Sequence, residues 1–567
     1  MDNDDVAKVL GETADMLELA GENFFRVRAY RNAAQSIRDQ TVQVADLTPE
    51  QIDEIPGIGA DLAKKVRTVV ETGDLPLHHE LAAKFPPRLL ELRDVSGLGP
   101  KRLKLLIDRL NIRSRDDLEN AVKSGRLRKL SGFGPKLEQR IGESLQRHGA
   151  GQGGRMLYAD AARIAAQLSA HMRNCGAIRK LEIAGSFRRR RETVGDLDVL
   201  ASADDSAAVM KHFIGFPDVT QVTGSGETKA SVVLKGGMQV DLRVVPPKSF
   251  GAALVYFTGS KSHNVHLRRI AQARGLLLNE YGLFREGSAV AGRTEQEIYR
   301  ALGISWITPE LREDRGEIEA SAAGKLPRLI ERGNLRGDLH THSLYTDGHA
   351  SIEAMVRQAR DNGLEYIAIT DHSRRLAMAH GLDPERLREQ RKEIDRIQKK
   401  LTGITVLQGI EVDILEDGTL DLPDDALGAL DWVVASVHYK LEQSSAQMTR
   451  RLCKAIRNRK VDVIGHPSGR LLGHREPSNF DLSEILRVAR EEGCTLEVNS
   501  QPVRLDLNDT ACLAAKRAGV KVVISSDAHS TRDLQLLEYG INQARRGWIE
   551  KDDVLNTRPR KDLRARR

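Results

Sequence analysis

Three aspartates lie in two apolar segments with the spacing of a metal-binding site. Asp196 and Asp198 are part of DLDVLAS, and Asp241 is part of QVDLRVV. Because side chains alternate along a β-strand, Asp196 and Asp198 point to the same face. Three carboxylates on one sheet face can hold two divalent ions about 4 Å apart, the arrangement used for in-line phosphoryl transfer. We therefore expect Mg²⁺ or Mn²⁺ here; half-buried strand acids without a ligand are the alternative.

A glycine-serine turn and four consecutive arginines precede these acids. Gly185 and Ser186 end an apolar segment, and the arginines occupy positions 188–191. The backbone of such a turn can cradle phosphate oxygens, and an arginine can neutralise their charge. We expect Gly185, Ser186 and Arg189 to hold a triphosphate beside the aspartates.

A second set of metal-binding residue types follows position 335. Seven apolar segments there are expected to be strands, and six of them end in candidate ligands. Helical segments separate most of these strands, which predicts a βα-barrel with its site at the carboxyl ends of the strands. The nine candidate ligands are His340, His342, Asp347, His372, Glu411, His438, His466, Asp527 and His529.

The chemistry of this ligand set predicts a hydrolytic centre. Nitrogen and oxygen ligands without cysteine favour Mn²⁺ or Zn²⁺, with Fe²⁺ as a further candidate, and nine ligands suit two or three ions. Glu411 stands near the middle of the ligand order and is the expected bridging carboxylate. A single histidine is usually a core or surface residue, but that alternative does not explain ligands at six strand ends. Further candidate substrate contacts are His380, His474, Arg470 and Arg504.

The N-terminal segment is expected to be helical and contains a repeated turn. Apolar residues recur every three or four positions over residues 5–75, which is typical of amphipathic helices. A Gly–apolar–Gly turn can expose amides that bind a phosphate oxygen. One copy fits an ordinary helical hairpin, whereas three copies resemble the helix-hairpin-helix, a sequence-independent clamp on the DNA backbone. The predicted DNA contacts are Gly57, Gly59, Gly97, Gly99, Lys101, Gly132, Gly134 and Lys136.

Composition indicates a soluble protein of several domains. The 567 residues are 40% hydrophobic and 29% charged, and no apolar run approaches the roughly 18 residues of a membrane span. The four cysteines lack disulfide or zinc-finger spacing, and no secretory signal begins the chain, so we expect a cytoplasmic protein. Net charge is 87 − 80 = +7; residues 101–150 alone contribute 13 − 6 = +7, so contact with a polyanion is expected there.

Further segments carry a resemblance to a known family. The Gly-Ser turn followed by Asp-x-Asp is similar to nucleotidyltransferases of the DNA polymerase β type, and residues 226–229 and 256–268 narrow this to family X DNA polymerases over about residues 1–320. The resemblance implies that Tyr256 and Phe257 line the sugar pocket and that Gly259 marks a helix-terminal kink. It also implies that Asn264 touches the incoming base and Arg268 the template strand.

The same resemblance suggests a lyase site near the N-terminus. The Schiff-base lysine of the family falls at Lys65. Such chemistry needs an amine with a lowered pKa, but a usually basic position of the lyase pocket is Asp61 here. A solvated surface lysine is therefore the alternative for Lys65.

The C-terminal segment resembles the polymerase and histidinol phosphatase (PHP) domain, a distorted (β/α)7 barrel of trinuclear phosphoesterases, and every ligand position has an acceptable residue. The expected fold is multidomain: an all-α helix-hairpin-helix region, an α+β nucleotidyltransferase palm with a thumb, and the PHP barrel. The predicted boundaries are 1–80 lyase-like, 81–150 helix-hairpin-helix, 151–245 palm, 246–318 thumb, 319–335 linker and 336–567 barrel.

Together these features resemble the bacterial type of family X polymerase. The resemblance implies repair synthesis on gapped or nicked DNA from dNTPs, with a 3′–5′ exonuclease in the barrel and, as further options, cleavage at abasic sites or removal of 3′ blocking groups. The rival hypotheses are a DNA-tethered phosphatase acting on small phosphate esters with a weak or inactive polymerase core, and a non-enzymatic DNA-binding scaffold. Protein partners and oligomeric state stay open, with a monomer as one candidate.

The hairpins yield the first prediction. Replacing Lys101 and Lys136 with alanine should weaken DNA binding to the same degree for all sequences and flatten its salt dependence, because contacts to phosphate release counterions without reading bases. Fluorescence anisotropy on two unrelated duplexes at several salt concentrations measures both effects. An unchanged salt slope would remove these lysines from the DNA interface.

Overall fold

The computed structural model describes residues 3–563 except 39, 41, 42, 56, 86–91, 93, 94, 96, 97, 131, 135, 136, 139, 140, 143, 144, 146–154, 377 and 378. The chain forms two compact units, Met1–Gly154 and Arg155–Arg567. The palm, thumb and barrel predicted as separate domains thus share the second unit. No described helix is long and apolar enough to cross a membrane.

The first unit is helical in its described part, as the apolar periodicity predicted. Two apolar cores hold it together: residues such as Leu10, Tyr30 and Val66 form one, and Leu103, Leu118 and similar residues form the other. Its helices are α1 (Asn3–Ala20), α2 (Phe24–Arg38), α3 (Pro49–Asp53), α4 (Ala60–Thr72), α5 (Pro76–Lys84), α6 (Pro100–Leu110) and α7 (Arg115–Lys123).

A five-stranded mixed sheet forms the palm at the start of the second unit. Its strand order is β2-β4-β7-β6-β5, and only β4 and β7 run parallel. Leu197 and Val199 are buried in the core below this sheet, which turns the alternate residues of β4 to the opposite face. The elements are β1 (Met156–Leu157), α8 (Tyr158–Arg173), β2 (Ile178–Ile183), α9 (Gly185–Arg188), β3 (Thr193–Val194), β4 (Asp196–Ala203), α10 (Ser206–Ile214), β5 (Val219–Ser225), β6 (Lys229–Leu234) and β7 (Gln239–Val245).

The thumb combines helices with a small antiparallel sheet of order β10-β9-β8. Its core includes the fully buried Leu267, Ile298 and Tyr299. The elements are α11 (Phe250–Thr258), α12 (Lys261–Ala273), β8 (Leu277–Asn279), β9 (Gly282–Arg285), β10 (Ser288–Ala291), α13 (Glu295–Ala301) and α14 (Glu317–Ala322).

Seven parallel strands in chain order form the barrel, as predicted. A bridge between Thr341 and Ala528 links the region after the first strand to that after the last, so the sheet nearly closes. The elements are β11 (Gly337–Asp338), α15 (Ile352–Asp361), β12 (Tyr366–Ile369), α16 (Pro384–Lys400), β13 (Thr405–Asp413), α17 (Asp424–Gly428), β14 (Trp432–Ser436), α18 (Ser445–Arg457), β15 (Val463–Ile464), α19 (Leu482–Glu492), β16 (Thr495–Asn499), α20 (Asp509–Ala518), β17 (Val522–Ser525) and α21 (Leu537–Arg546).

Two details differ from the sequence expectations. Glu411 lies inside β13 instead of after its end, because β13 pairs with β12 through residues 405–408 and with β14 through residues 409–413 and is therefore long. The expected linker also packs closely: Leu329 and Ile330 are buried, and the Ile330 amide donates to the carbonyl oxygen of Ile549 at 3.0 Å.

The packing of the thumb provides a stability prediction. A methyl group added to Gly251 would lie 2.2–2.4 Å from the backbone of Thr294, so Gly251→Ala must displace α11. We expect a loss of about 1–3 kcal/mol in the free energy of unfolding, the usual cost of overpacking, measured by chemical denaturation. Gly176→Ala is the control, since its added methyl group meets no atom within 4 Å. Equal stabilities of the two variants would contradict the prediction.

Candidate functional site

The palm acids lie on the two parallel strands at the centre of the sheet. Asp198 of β4 is the direct partner of Asp241 on β7, and Asp196 is two residues earlier on the same face. Ser231 donates a hydrogen bond to Asp241, and Nε2 of Gln239 donates another at 3.3 Å. The structure thus brings the three predicted ligands to one face. Their oxygens do not form a group as tight as those in the barrel, which alone among the described residues has three or more ligand atoms all within 4.8 Å.

Gly185 allows the turn before α9 to approach Asp198 closely. Its φ of +64° is in the left-handed region, and a Cβ there would lie 2.3 Å from Oδ2 of Asp198. The pKa of Asp198 is raised to about 7, first by burial and then by the charges of Asp196 and Asp241. A carboxylate held in this state binds a proton or a cation readily. The site therefore fits the divalent ions predicted for it.

The expected nucleotide contacts are already engaged within the protein. Nε of Arg189 donates to Oε1 of Glu313 at 3.0 Å, and its Nη1 donates to the carbonyl oxygen of Thr258 at 2.5 Å. Its charge is therefore balanced by Glu313, a partner that sequence reasoning missed. Ser186 lies beside Gly185 in α9, a single helical turn where a turn alone was expected.

The predicted sugar and base contacts surround the end of α11. Tyr256 is 39% exposed and meets Phe257 edge to face, with ring centroids 5.1 Å apart. Nδ2 of Asn264 donates to the carbonyl oxygen of Tyr256 at 2.7 Å, and Nε of Arg268 donates to that of Asn264 at 3.3 Å. Gly259 follows α11 with φ +70°.

The repeated turns of the first unit share one geometry. The amides of Ile58, Leu98 and Phe133 donate to the carbonyl oxygen three residues earlier, at 2.9–3.0 Å. In each copy the carbonyl of the second glycine, Gly59, Gly99 or Gly134, accepts the bond of a following helical turn. Gly57 and Gly132 have φ of +91° and +86°, a left-handed conformation that explains why glycine occupies these two positions. Gly97, Lys136 and the side chain of Lys101 lie outside the described residues.

Lys65 is held as a charged amine. Its Nζ lies 2.5 Å from Oδ2 of Asp61 and 5.3 Å from the ring centroid of Tyr30. Partial burial lowers the pKa of Lys65, but the contacts with Asp61 and Tyr30 outweigh burial, so its pKa is raised. A Schiff-base nucleophile needs the opposite shift, which disfavours the lyase hypothesis.

The barrel ligands follow from the ends of its parallel strands. His340 and His342 follow β11 by two and four residues, and His438 and Asp527 each follow their strands, β14 and β17, by two residues. Three groups of ligand atoms form, and His466 adds a ninth residue through its contact with Glu411. The groups are His342, Asp347, His372 and His529; His340, His342 and Asp527; and His372, Glu411 and His438.

Glu411 lies at the centre of the cluster, as its place in the ligand order suggested. It is 1% exposed. Oε1 lies 2.9 Å from Nε2 of His466 and 3.3 Å from Nε2 of His438, and Oε2 lies 2.9 Å from Nδ1 of His372. Buried Nε2 of His340 and Nδ1 of His342 have no hydrogen-bond partner. Lone pairs of this kind fit metal ligation, and the three groups suit up to three ions.

The charges of the cluster shift one another's pKa values. Burial raises the pKa of the Glu411 carboxyl, but His372 and other histidines outweigh burial and bring it well below its usual range. Burial lowers the pKa of His372, but Glu411 and Asp347 raise it to about 10. Burial, with His529 and His372 next, lowers the pKa of His342 to about 3. Divalent ions entering this cluster must displace protons from histidine.

A layer of acids behind the ligands was not predicted. Glu497 on β16 lies with Oε1 2.7 Å from Nδ1 of His340, and its Oε2 accepts the backbone amide of His466 at 2.6 Å. Asp413 lies 2.8 Å from Nδ1 of His438. Such partners fix the ring orientation of metal-binding histidines. The period of two along β13 and β16 was the available signal, since Asp413 shares a strand face with Glu411 and Glu497 with Asn499.

The four additional candidate substrate contacts differ in their surroundings. Arg504 lies near the cluster, with Nε 3.9 Å from Oδ2 of Asp527. Arg470 is instead buried and paired with Glu192 of the palm at 2.8 Å, so its charge is matched inside the protein. His474 is exposed, and His380 has a positive φ of 55°; neither belongs to a ligand group.

Comparison with known proteins identifies the family. A protein of Bacillus subtilis (strain 168) named DNA polymerase/3′-5′ exonuclease PolX is 36% identical over 569 residues, covering 100% of this chain and 99% of that protein. The chain belongs to the PolX family.

Family models account for successive parts of this PolX chain and confirm the predicted fold class. They are a helix-hairpin-helix domain over residues 1–75, a SAM-like helix-hairpin-helix tandem over 89–147, the DNA polymerase beta thumb over 253–313 and the PHP domain over 338–501. Shorter relatives are similar to part of the chain. A probable phosphatase of Thermoanaerobacter sp. (strain X514) is 32% identical over 39% of this chain and 89% of its own length.

The pKa of Asp198 predicts how primer extension by this protein depends on pH. Since this pKa is about 7, the metal-free carboxyl is protonated below pH 7 and ionised above it. Mg²⁺ must then displace a proton at low pH, and its apparent affinity should fall by up to about tenfold per pH unit below 7. We expect the Mg²⁺ concentration for half-maximal primer extension to be higher at pH 6 than at pH 8. The same concentration at both values would contradict the ionisation of Asp198 in this range.

Proposed function

We propose that this protein extends the primer strand of gapped or nicked DNA from dNTPs at the palm and removes nucleotides from 3′ ends at the barrel. The observation that supports this is the presence of two separate charged centres in a chain that matches a DNA polymerase/3′-5′ exonuclease over its whole length. Short-gap repair is the proposed setting.

In the polymerase centre, Asp196, Asp198 and Asp241 would hold Mg²⁺ or Mn²⁺. Such ions activate the primer hydroxyl and neutralise the triphosphate when bound. Gly185 brings the turn of α9 against Asp198, so backbone amides and Ser186 can hold phosphate oxygens beside the carboxylates. The exposed ring of Tyr256 provides an apolar wall for the sugar, which would exclude a 2′-hydroxyl by contact.

In the barrel, the nine ligands would hold two or three ions, Mn²⁺ or Zn²⁺. These ions generate a nucleophilic hydroxide and polarise the phosphodiester when bound. Glu497 and Asp413 keep the rings of His340 and His438 oriented, and Arg504 lies at the cluster with a charge suited to phosphate. Cleavage at abasic sites and removal of 3′ blocking groups are further substrates of the same chemistry.

The helical first unit is proposed to bind the DNA backbone. Its three turns of shared geometry, with amides at the start of the following helical turn, support a contact that does not depend on sequence. The rival phosphatase hypothesis is not favoured, because relatives named probable phosphatase cover only part of the chain whereas the polymerase relative covers all of it.

Separate variants test the two centres on one substrate. A gapped duplex with a 5′-labelled primer is incubated with Mg²⁺ or Mn²⁺, with and without dNTPs, and the products are resolved on a gel. Asp198→Asn should reduce extension at least about a hundredfold and spare shortening, because it removes a ligand from one centre only. His340→Ala with His342→Ala should do the reverse.

Matched controls distinguish the sites from general damage. Asp204→Asn changes an exposed acid just beyond β4, and His79→Ala changes an exposed histidine of α5; both should retain the two activities. Loss of both activities from either site variant, in a folded protein, would defeat the proposal of two independent centres.

A further inference from the structure

A network of ion pairs joins the barrel to the polymerase core, by which we mean the palm and the thumb together. Arg546, at the end of α21 in the barrel, donates from Nη1 to Oε1 of Glu313 at 3.0 Å and to the backbone carbonyl oxygen of Arg189 at 2.7 Å. Its Nη2 donates to Oδ2 of Asp509, at the start of α20, at 2.6 Å. One barrel side chain thus holds both a carboxylate and the backbone of the polymerase core.

The polymerase end of this network reaches the proposed nucleotide site. Glu313 also accepts from Nε of Arg189, whose Nη1 donates to the carbonyl oxygen of Thr258. Thr258 is the last residue of α11 and directly precedes Gly259. Arg189 follows α9, which carries Gly185 and Ser186. Segment 185–191 is therefore connected to the barrel directly, through the contact of Arg546 with Arg189, and segment 256–260 is connected through the side chain of Arg189.

Apart from Arg191, whose side chain is 39% exposed, the network is largely closed to solvent, and it carries an excess of positive charge. The side chain of Arg546 is 3% exposed and that of Glu313 is 9% exposed. Arg315 also pairs with Asp509 at 3.1 Å, and Arg191 lies 3.8 Å from Glu313. Four guanidinium groups thus share two carboxylates beside the place proposed for the triphosphate. Charged hydrogen bonds in so dry an environment hold their partners in defined positions.

We propose that Arg546 is a positioning residue of the polymerase reaction: the barrel, through Arg546 and Asp509, holds the two segments of the core that bind the incoming nucleotide. This inference rests on the proposed polymerase function. Arg546 does not touch the reacting atoms; it acts through Glu313 and Arg189.

Other ion pairs between barrel and core provide a comparison. Nε of Arg545, the preceding residue of α21, donates to Oε1 of Glu310 at 2.9 Å. Arg470 pairs with Glu192 at 2.8 Å. No described contact joins Arg545 to Arg189, Glu313 or Thr258. Glu310 also lies 3.3 Å from Nε of Arg190, so Arg545 reaches segment 185–191 through that side chain. Removing Arg545 therefore weakens the docking of the barrel but leaves the contacts among Arg189, Glu313 and Thr258 in place.

The test compares Arg546→Gln, Asp509→Asn and Arg545→Gln in the full-length protein by single-nucleotide insertion. Arg546→Gln should raise the KM for dNTP about tenfold and change kcat less, since it loosens the binding segments but leaves the metal-binding acids in place. Asp509→Asn, which keeps the side-chain shape but removes the charge, should also raise the KM for dNTP. Arg546→Lys keeps the charge and should recover part of the loss, whereas Arg545→Gln should leave KM within about twofold.

Exonuclease activity on single-stranded DNA, measured on the same preparations, reports whether each barrel is intact and should be unchanged. A folded Arg546→Gln protein with an unaltered KM for dNTP would overturn the inference, as would an equal rise in Arg545→Gln. If Arg546→Gln fails to fold, Asp509→Asn decides the question alone. Retained extension in Asp198→Asn would instead refute the proposed polymerase centre, so the two failures are distinct.

Discussion

The crowding of titratable groups in one place is the constraint on which both centres depend. In the barrel, Glu411, Asp347 and Asp527 lie among six histidines, and in the palm Asp198 lies against Asp241. Each buried charge costs several kcal/mol unless opposite charge and hydrogen bonds surround it. The scaffold supplies part of this compensation, and cations supply the rest. A protein without metal chemistry would have no reason to maintain either arrangement.

Strand geometry makes this concentration of charge possible. Parallel strands deliver the residues after their carboxyl ends to one place, so ligands far apart in the chain meet without long loops. The acids behind them complete the arrangement: Glu497 holds both the ring of His340 and the backbone of His466, although the two histidines are 126 positions apart. The orientation of the ligands thus depends on the middle strands of the barrel as much as on the strands that carry them.

Local patterns made much of this predictable from the sequence. Alternation placed Asp196 and Asp198 on one face, strand ends marked eight of the nine candidate barrel ligands, with Glu411 inside a strand, and repeated glycines marked three turns of equal geometry. Prediction failed where a partner is distant and follows no period. Arg470, a candidate phosphate contact, pairs with Glu192, 278 positions away, and Arg189 shares Glu313 with Arg546. An ion pair between distant segments needs only two opposite charges close together in the fold, so no periodic pattern in the sequence predicts it.

The junction between barrel and core follows from the same electrostatics. Without Arg546, the charge of Arg189 would be shared between Glu313 inside the protein and an anionic substrate outside it. Arg546 changes that balance, because it gives Glu313 a second cation and also holds the backbone of Arg189. Glu313 is then compensated even when Arg189 turns part of its charge towards a triphosphate. The barrel can thereby support nucleotide binding at the palm through residues other than its nine candidate metal ligands.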